Sequence, residues 1–285
     1  MNKIALITGS TSGIGWETAK KLSILNFDLI ITGRNSKKID ENLLELEKLN
    51  SKGNYQGYCV DFASMCDVYK FTESVKKSFS RLDILINNAG AVYMKRTLTA
   101  EGLESTFAVN HLAPFLITRE LMSLLEKSNE ARIINVSSHS HYSGRLDFDD
   151  LQSEKKFSGI KQYANTKLMN ILFTLSLNHK LNNKPIFPFS LHPGVVRTSI
   201  GYKNSPLWAA LLWWLFTRFK GIPAEEGAKT SVFLATEPLS RLEIGGYYSN
   251  CKPKNPSTEA RREDFAEKLW EISDNLVNCC TTQFQ

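Results

Sequence analysis

The sequence predicts an α/β fold, a single doubly wound domain whose parallel sheet carries helices on both faces. Three observations predict it. Short apolar runs alternate with amphipathic stretches from the first residues onward, the first run ends in a glycine-rich turn that opens directly into a helix, and no linker, low-complexity segment or repeat marks a domain boundary. Apolar runs without polar alternation are strands buried on both faces, and the amphipathic stretches between them serve as right-handed crossovers.

The elements follow in order. Ile-Ala-Leu-Ile at 4–7 is the first strand, and the glycine turn after it leads into a helix over 17–25. Leu-Ile-Ile-Thr at 29–32 is the second strand and 39–49 its helix; 58–60 and 68–79 repeat the unit. Strands at 84–86 and 133–136 bracket a longer helical stretch, 103–125. A helix over 163–181 leads to strands at 187–191 and 247–248, seven strands in all. One segment breaks the pattern: 207–219, Leu-Trp-Ala-Ala-Leu-Leu-Trp-Trp-Leu-Phe-Thr-Arg-Phe, is apolar on every side. As a helix it is roughly 20 Å long, short of the ~30 Å hydrocarbon core of a bilayer, which argues against a membrane span.

Composition bounds the function. A chain of 285 residues, 42% apolar and 22% charged, buries a full core and is too evenly mixed for disorder. The net charge of +6 is spread without a long basic block, which suits a phosphate-bearing ligand and gives no ground for a nucleic-acid partner. The five cysteines, Cys59, Cys66, Cys251, Cys279 and Cys280, form no paired C-x-x-C groups, so neither a disulfide framework nor a structural metal is expected. The opening Met1-Asn-Lys-Ile has neither the apolar length nor the cleavage pattern of a signal peptide, and the expectation is a reducing, cytoplasmic setting.

Chemistry enters at the end of the first strand, in Thr8-Gly9-Ser10-Thr11-Ser12-Gly13-Ile14-Gly15. Glycines are needed where a pyrophosphate must approach the backbone, where a tight turn forms, and where a helix packs on its sheet; the first N–H groups of that helix then face the anion. A purely structural turn is the alternative. After the second strand comes Gly33-Arg34-Asn35, with no acid before Asp40. A carboxylate here would hold a free ribose 2′-hydroxyl and repel a 2′-phosphate, whereas Arg34 can grip the phosphate through its planar fork, so NADP(H) is favoured over NAD(H). The alternative is a solvated loop charge. Asp61, in Val60-Asp61-Phe62, reaches the same crevice and could accept from an adenine amino group; a helix cap there or at Ser64 is the other reading. Asn88-Ala89-Gly90 supplies small residues where the fourth strand meets a flat ligand, or a simple turn.

Asn110 stands in a helix four residues before Pro114, which lacks the N–H that its carbonyl would accept. Ser137-Ser138 closes the fifth strand, and Tyr163 and Lys167 share one face of a later helix. An ammonium near a phenol, helped by an oxidised nicotinamide cation, lowers the phenol pKa from ~10, so that Tyr163 could exchange a proton with a carbinol or carbonyl.

Taken together and in this order, these residues resemble the short-chain dehydrogenase/reductase family over essentially the whole chain. The resemblance implies a Rossmann-type sheet ordered 3-2-1-4-5-6-7 and a catalytic set of Asn110, Ser138, Tyr163 and Lys167. In that set Tyr163 is acid/base, Lys167 lowers its pKa and holds ribose hydroxyls, Ser138 rather than Ser137 orients substrate, and Asn110 relays protons. His192-Pro193-Gly194-Val195-Val196-Arg197-Thr198 resembles the family's segment beside the nicotinamide carboxamide, adding Pro193, Gly194, Val196 and Thr198 to the cofactor residues. Those already named are Gly9 to Gly15, Arg34, Asn35, Asp61, Phe62, Asn88, Ala89, Gly90, Tyr163 and Lys167.

The resemblance is closest to the retinol dehydrogenase branch, with the WW-domain oxidoreductase and the light-dependent protochlorophyllide reductases nearby. Thr32-Gly33-Arg34-Asn35, Val109-Asn110-His111-Leu112, Ser137-Ser138-His139-Ser140-His141 and Leu191-His192-Pro193-Gly194 carry it, as do the 25-residue interval from Ser138 to Tyr163 and Asp149-Asp150-Leu151 within that interval. Departures are Ala164-Asn165-Thr166 in place of the branch's frequent Cys-His-Ser, and the expected lack of an N-terminal membrane anchor. His141, with Ser138 and Tyr163, is expected at the substrate; a purely structural histidine is the alternative. The insertion 199–225 falls where the family places a substrate lid, which implies a lipophilic aldehyde, ketone, steroid or prenoid. A buried or dimer-contact helix and a peripheral membrane contact are the other readings of its apolar core. A homo-oligomer through the fourth and fifth helices is implied by resemblance alone. A light-dependent pigment reductase and a non-enzymatic NADP(H)-binding sensor or scaffold are the rival functions.

Overall fold

The computed structural model describes residues 2–196 and 221–281. Seven parallel strands run in the order β3-β2-β1-β4-β5-β6-β7: β1 Ile4–Ile7, β2 Asp28–Gly33, β3 Tyr55–Cys59, β4 Ile84–Asn87, β5 Ala131–Val136, β6 Ile186–Leu191 and β7 Tyr247–Ser249. An eighth, β8 Lys252–Pro253, pairs antiparallel with β7, so the sheet exceeds the expected seven by one short edge strand. β3 begins three residues before the expected strand, because its register against β2, from Leu29 opposite Tyr55 to Gly33 opposite Cys59, sets its length where apolar content does not.

Helices cover both faces. α1 (Gly13–Ile24), α2 (Ser36–Leu49) and the helix Ala224–Thr236 bury one face around Ile7, Ile31, Ile86 and Ile134. α3 (Met65–Ser78), the stretch from 105 to 125, α7 (Gly159–Lys180) and the C-terminal helix Glu263–Thr281 bury the other around Leu6, Leu85, Ile133 and Phe107. Between the layers a polar ladder crosses the sheet: Asn87 Nδ2 donates to Asn135 Oδ1 (2.8 Å) and Asn135 Nδ2 to Thr174 Oγ1 (2.9 Å), so these buried amides are hydrogen-bonded to one another.

The stretch expected as one helix is composite. α4 (Ser105–Phe107) widens into a π turn, Ala108–Leu112, before α5 (Ala113–Glu120) and α6 (Met122–Leu125). Pro114 has no N–H to give Asn110, and the turn widens at that point, with the N–H of Ala113 bonding the carbonyl of Ala108 five residues back.

The helices Ala224–Thr236 and Glu263–Thr281 have no counterpart in the sequence-based expectation. The second lies across the outer faces of the composite stretch and α7, the fourth and fifth helical units. Trp270 meets Phe115 edge-on (4.9 Å between ring centroids) and Phe173 (5.9 Å). Arg119 pairs with Asp274 (3.0 Å), Lys180 with Glu267 (2.9 Å), and His111 Nε2 lies 2.8 Å from Ser273 Oγ. The chain's last helix thus packs on part of the face expected to join copies of the chain.

Among the described residues no helix is long and apolar enough to cross a membrane, no acidic, histidine or cysteine cluster could hold a metal, and the five cysteines are free thiols. The apolar core of the insertion, 207–219, and Thr198 lie outside the described residues.

Candidate functional site

The glycine turn, Arg34, Asp61, Asn88 to Gly90 and Ser138 follow the carboxyl ends of β1 to β5, where parallel α/β sheets place their ligands. A cavity of about 330 Å³ opens there, lined by Gly9, Thr11 to Gly15, Gly33, Arg34, Asp61, Phe62, Asn88 to Ala91, Tyr93 and Val109.

The glycine turn is built to be approached. Gly9 has φ +63°, a left-handed conformation that favours glycine, and a Cβ there would stand 3.0 Å from Ala89 Cα. At Gly15 a Cβ would stand 2.5 Å from both Asn88 Nδ2 and the carbonyl of Gly9. That close packing is fixed by Asn88, whose Nδ2 donates to the carbonyls of Thr8 (2.8 Å) and Gly9 (3.2 Å), while Thr8 Oγ1 accepts from the N–H groups of Asn88 and Ala89 (both 2.9 Å). Ser12 is the N-cap of α1 without a side-chain cap bond, so the first N–H groups of the helix meet no capping side chain where the cavity begins.

Two expected cofactor side chains turn away from the cavity. Ser10 is buried and its hydroxyl donates to the carbonyl of Ile7 (2.8 Å) while accepting from the N–H of Thr32 (2.9 Å), which welds β1 to β2. Asn35 caps α2 by accepting from the N–H of Lys38 (3.0 Å). Arg34 is exposed at the cavity rim, close enough to Tyr93 for its charge to oppose the burial that raises that phenol's pKa. No acid pairs with Arg34 among the described residues. Asp61 lines the cavity and also accepts from the N–H of Ala63 (3.1 Å), while Ser64 caps α3 by accepting from Asp67 N–H (3.1 Å). The cap and the crevice carboxylate are thus separate residues.

Gly33, Ala91, Tyr93 and Val109 line the cavity and were not among the expected residues. Gly33, Ala91 and Val109 flank motif positions; Tyr93 lies three residues past Gly90 with no local signal of its own.

Behind the cavity, Asn110 links its wall to α7. The Asn110 side chain accepts from Ala91 N–H (2.7 Å), donates to Ala91 O (2.9 Å) and donates to Thr166 Oγ1 (3.1 Å). Its amide is therefore committed to positioning, and any relay role falls to its carbonyl. Ser137 Oγ donates to the carbonyl of Lys167 (2.6 Å), pinning α7 to the end of β5, and this leaves Ser138 as the serine beside Tyr163.

Lys167 Nζ donates to the carbonyl of Val136 (3.0 Å) and lies 5.6 Å from the Tyr163 ring centroid. Burial lowers the Lys167 pKa to about 8. Burial pushes the Tyr163 phenol up, against the Ser138 hydroxyl, which favours the phenolate. Among the chain's own groups the balance is thus opposite in sign to the lowering expected from Lys167: desolvation of the phenol dominates, and the site presents a protonated tyrosine.

His141 does not fit a substrate contact. It is fully buried, with Nδ1 2.7 Å from the carbonyl of Ser138 and Nε2 accepting from Ser257 N–H (3.2 Å), so neither ring nitrogen is free for a ligand. Gly194 donates its N–H to His192 Nδ1 (3.1 Å), and Val196 bridges to Ile222, which places Pro193, Gly194 and Val196 beyond the end of β6 and outside the cavity lining.

The residues present fit a dinucleotide: two glycines whose Cβ positions are filled by neighbouring backbone or side chain, an open helix N-terminus, and a cationic rim.

Comparison with known proteins bears on the site. The family model described as short chain dehydrogenase matches residues 3–206. Human retinol dehydrogenase 12 is 37% identical over 279 residues, covering 96% of this chain and 86% of the relative. Mouse retinol dehydrogenase 14 is 37% identical over 287 residues with the same coverage, and the chicken WW domain-containing oxidoreductase is 35% identical, covering 96% of this chain and 68% of the relative. Among solved structures, an uncharacterised protein of Mycobacterium paratuberculosis superposes with a TM-score of 0.77 at 26% identity, covering 97% of this chain and 93% of its own. A Sphingobium yanoikuyae short-chain dehydrogenase in complex with NADPH gives a TM-score of 0.65 at 22% identity, covering 81% of this chain and 83% of its own.

Proposed function

The chain belongs to the short-chain dehydrogenase family, and from that premise we propose that it is an NADP(H)-dependent oxidoreductase that reduces the carbonyl group of a lipophilic aldehyde or ketone. The observation that carries the reading is the Tyr163–Lys167 pair on one face of α7, its lysine buried, flanked by Ser138 and tied through Asn110 to the wall of a glycine-lined cavity with Arg34 at its rim. The retinol dehydrogenase relatives, by their names, act on an alcohol, which is the same CH–OH/C=O chemistry.

A reduced nicotinamide, when bound, supplies the hydride. The chain supplies the rest. Ser138 donates to the carbonyl oxygen of the substrate and orients it. Tyr163, kept protonated by burial, passes its proton to that oxygen as negative charge develops there. Lys167, a buried cation one helical turn away, stabilises the phenolate that results. Arg34 would hold the 2′-phosphate; the lack of an acid between Arg34 and Asp40 removes the group that would disfavour it. A pure NADP(H) sensor has no use for the Tyr163–Lys167 pair, which makes the enzyme the better reading. The five free thiols suit a reducing compartment.

The test is NADPH oxidation against a panel of retinal, steroid ketones, short aldehydes and quinones, with Tyr163→Phe as control. Turnover of the lipophilic carbonyls that disappears in the variant supports the reading. NADPH binding without turnover of any member of the panel overturns it in favour of the sensor.

A further inference from the structure

Immediately after Ser138 the chain makes a 3₁₀ turn, His139–Ser143, and His141 is its one fully buried residue. The ring of His141 is held on both sides. Ser257 donates its N–H to Nε2 (3.2 Å), which requires Nε2 to be unprotonated and puts the proton of the neutral ring on Nδ1. From there Nδ1–H donates to the carbonyl of Ser138 at 2.7 Å. The backbone N–H of His141 donates to that same carbonyl at 3.1 Å, so one residue grips the Ser138 carbonyl twice. Tyr142 and Tyr247 enclose the ring, with centroids 4.0 and 4.9 Å away. A second tie runs parallel: Tyr142 donates its hydroxyl to the carbonyl of Asn255 (2.6 Å).

The consequence for Ser138 is directional. Its backbone is extended (φ −152°, ψ 157°), and its hydroxyl accepts from Ser140 N–H at 3.2 Å. A seryl side chain rotates about a single bond, so where its hydroxyl points depends on how firmly the peptide on either side is held.

We infer that His141 is a positioning residue: its ring holds the Ser138 carbonyl through Nδ1–H, with Ser257 N–H on Nε2 fixing that tautomer, and thereby holds the Ser138 hydroxyl toward Tyr163. This rests on the reading of Ser138 as the substrate-orienting residue. It also assigns a part in the site to residues 255–257, more than 110 positions away in sequence, because the acceptor for Ser257 N–H is the ring that holds Ser138. The charge state suits the task. Burial, with the Lys254 and His139 charges, lowers the His141 pKa to about 4, against the Ser138 carbonyl, which favours the charged ring. The ring stays neutral and keeps its acceptor nitrogen for Ser257 through the physiological range. Facing it from the packed elements are Tyr142, His139 and Lys254, and from the ends of β6 and β7 His192 and Tyr247.

Two substitutions separate this role from simple structural support. In His141→Asn the side-chain amide nitrogen falls near the place of Nδ1 and keeps the bond to Ser138. In His141→Gln the amide oxygen falls near the place of Nε2 and keeps the bond from Ser257 but drops the one to Ser138. Steady-state kcat and KM, NADPH Kd and Tm are measured for both, with Ser138→Ala and Tyr163→Phe in the same assay. The expected result is a kcat about 10- to 100-fold lower in the Gln variant, the scale of a misplaced catalytic group, with NADPH Kd unchanged. The Asn variant recovers kcat to within a few-fold. Equal kcat loss in the two variants that follows their Tm, or wild-type kcat in the Gln variant, overturns the inference. Ser138→Ala with wild-type kcat overturns instead the assignment of Ser138, and Tyr163→Phe with wild-type kcat overturns the proposed function itself.

Discussion

The Lys167 ammonium lies 5.6 Å from the ring centroid of Tyr163 and is anchored on the carbonyl of Val136 at 3.0 Å. Lys167 is buried and Tyr163 half-buried against it, and desolvation moves their pKa values apart, Tyr163 up from its ordinary value and Lys167 down to about 8. The pair therefore shares one desolvated space in which the charge of either matters to the other.

Tyr163→Phe removes the proton donor and leaves the cavity lining intact. Turnover is expected to fall by about 10²- to 10⁴-fold, the usual worth of a positioned acid, while NADPH affinity by fluorescence titration stays within a few-fold. A variant with wild-type turnover rejects the role.

Lys167 sets an alkaline limit. Its pKa is lowered to about 8, so the cation is fully present well below that pH and is lost as pH rises through it. The pH profile of kcat/KM in the direction of carbonyl reduction is expected to fall with a midpoint near 8. In Lys167→Arg, whose side chain does not titrate in this range, that limb moves beyond the accessible pH. An identical limb in both proteins assigns it to another group.

Arg34→Asp exchanges a phosphate-binding fork for a repelling carboxylate. The kcat/KM ratio of NADPH to NADH is expected to drop by at least about tenfold, in keeping with a charged hydrogen bond. An unchanged ratio rejects Arg34 as the 2′-phosphate ligand.

The C-terminal helix occupies part of the outer face of α5 and α7, so we expect a monomer of 32.2 kDa in sedimentation velocity. Trp270→Ala strips the central contact with Phe115 and Phe173 and lowers Tm; because Trp270 is only partly buried, its cost falls below the about 3–5 kcal/mol of a fully buried aromatic. A stable dimer that survives in the wild-type chain and dissociates in this variant would mean that the same face joins two copies.

Acid should unfold the protein through its histidines. His111, His141 and His192 are buried and neutral, with pKa values lowered to about 3, 4 and 4. In the unfolded chain each titrates near ~6.5, so between that pH and about 4 the unfolded state binds protons that the folded state refuses, and stability falls as pH falls. The urea midpoint is expected to decrease steadily from pH 6.5 to 4, with a shallower slope in His111→Gln; a flat midpoint over this interval contradicts it.

How much of this was legible in the sequence depended on range. The glycine turn, Arg34, Asp61, Asn88 and the Tyr163–Lys167 spacing are local patterns, and the structure gathers them at one end of the sheet. The break at Pro114 was visible as a missing donor, but its outcome, a π turn, depends on how the flanking turns pack. Long-range partners were not readable. Nothing near His141 indicates that Ser257 will occupy its Nε2, and nothing near Ser10 indicates that its hydroxyl joins two strands. The C-terminal helix carries no local signal because its meaning lies in the residues it packs on, 90 to 162 positions earlier.

The short eighth strand bears on how the protein behaves in a crowded solution. An open parallel sheet ends in a row of unpaired backbone groups, a ready template for a neighbouring molecule to add another strand. Here β8 takes that place beside β7 with only two residues, an exposed lysine and a proline that has no N–H to offer. Lys252 makes close approach of a second, similarly charged edge unfavourable, and Pro253 denies it a hydrogen bond. The pair thus disfavours growth of the sheet by a second molecule at that edge.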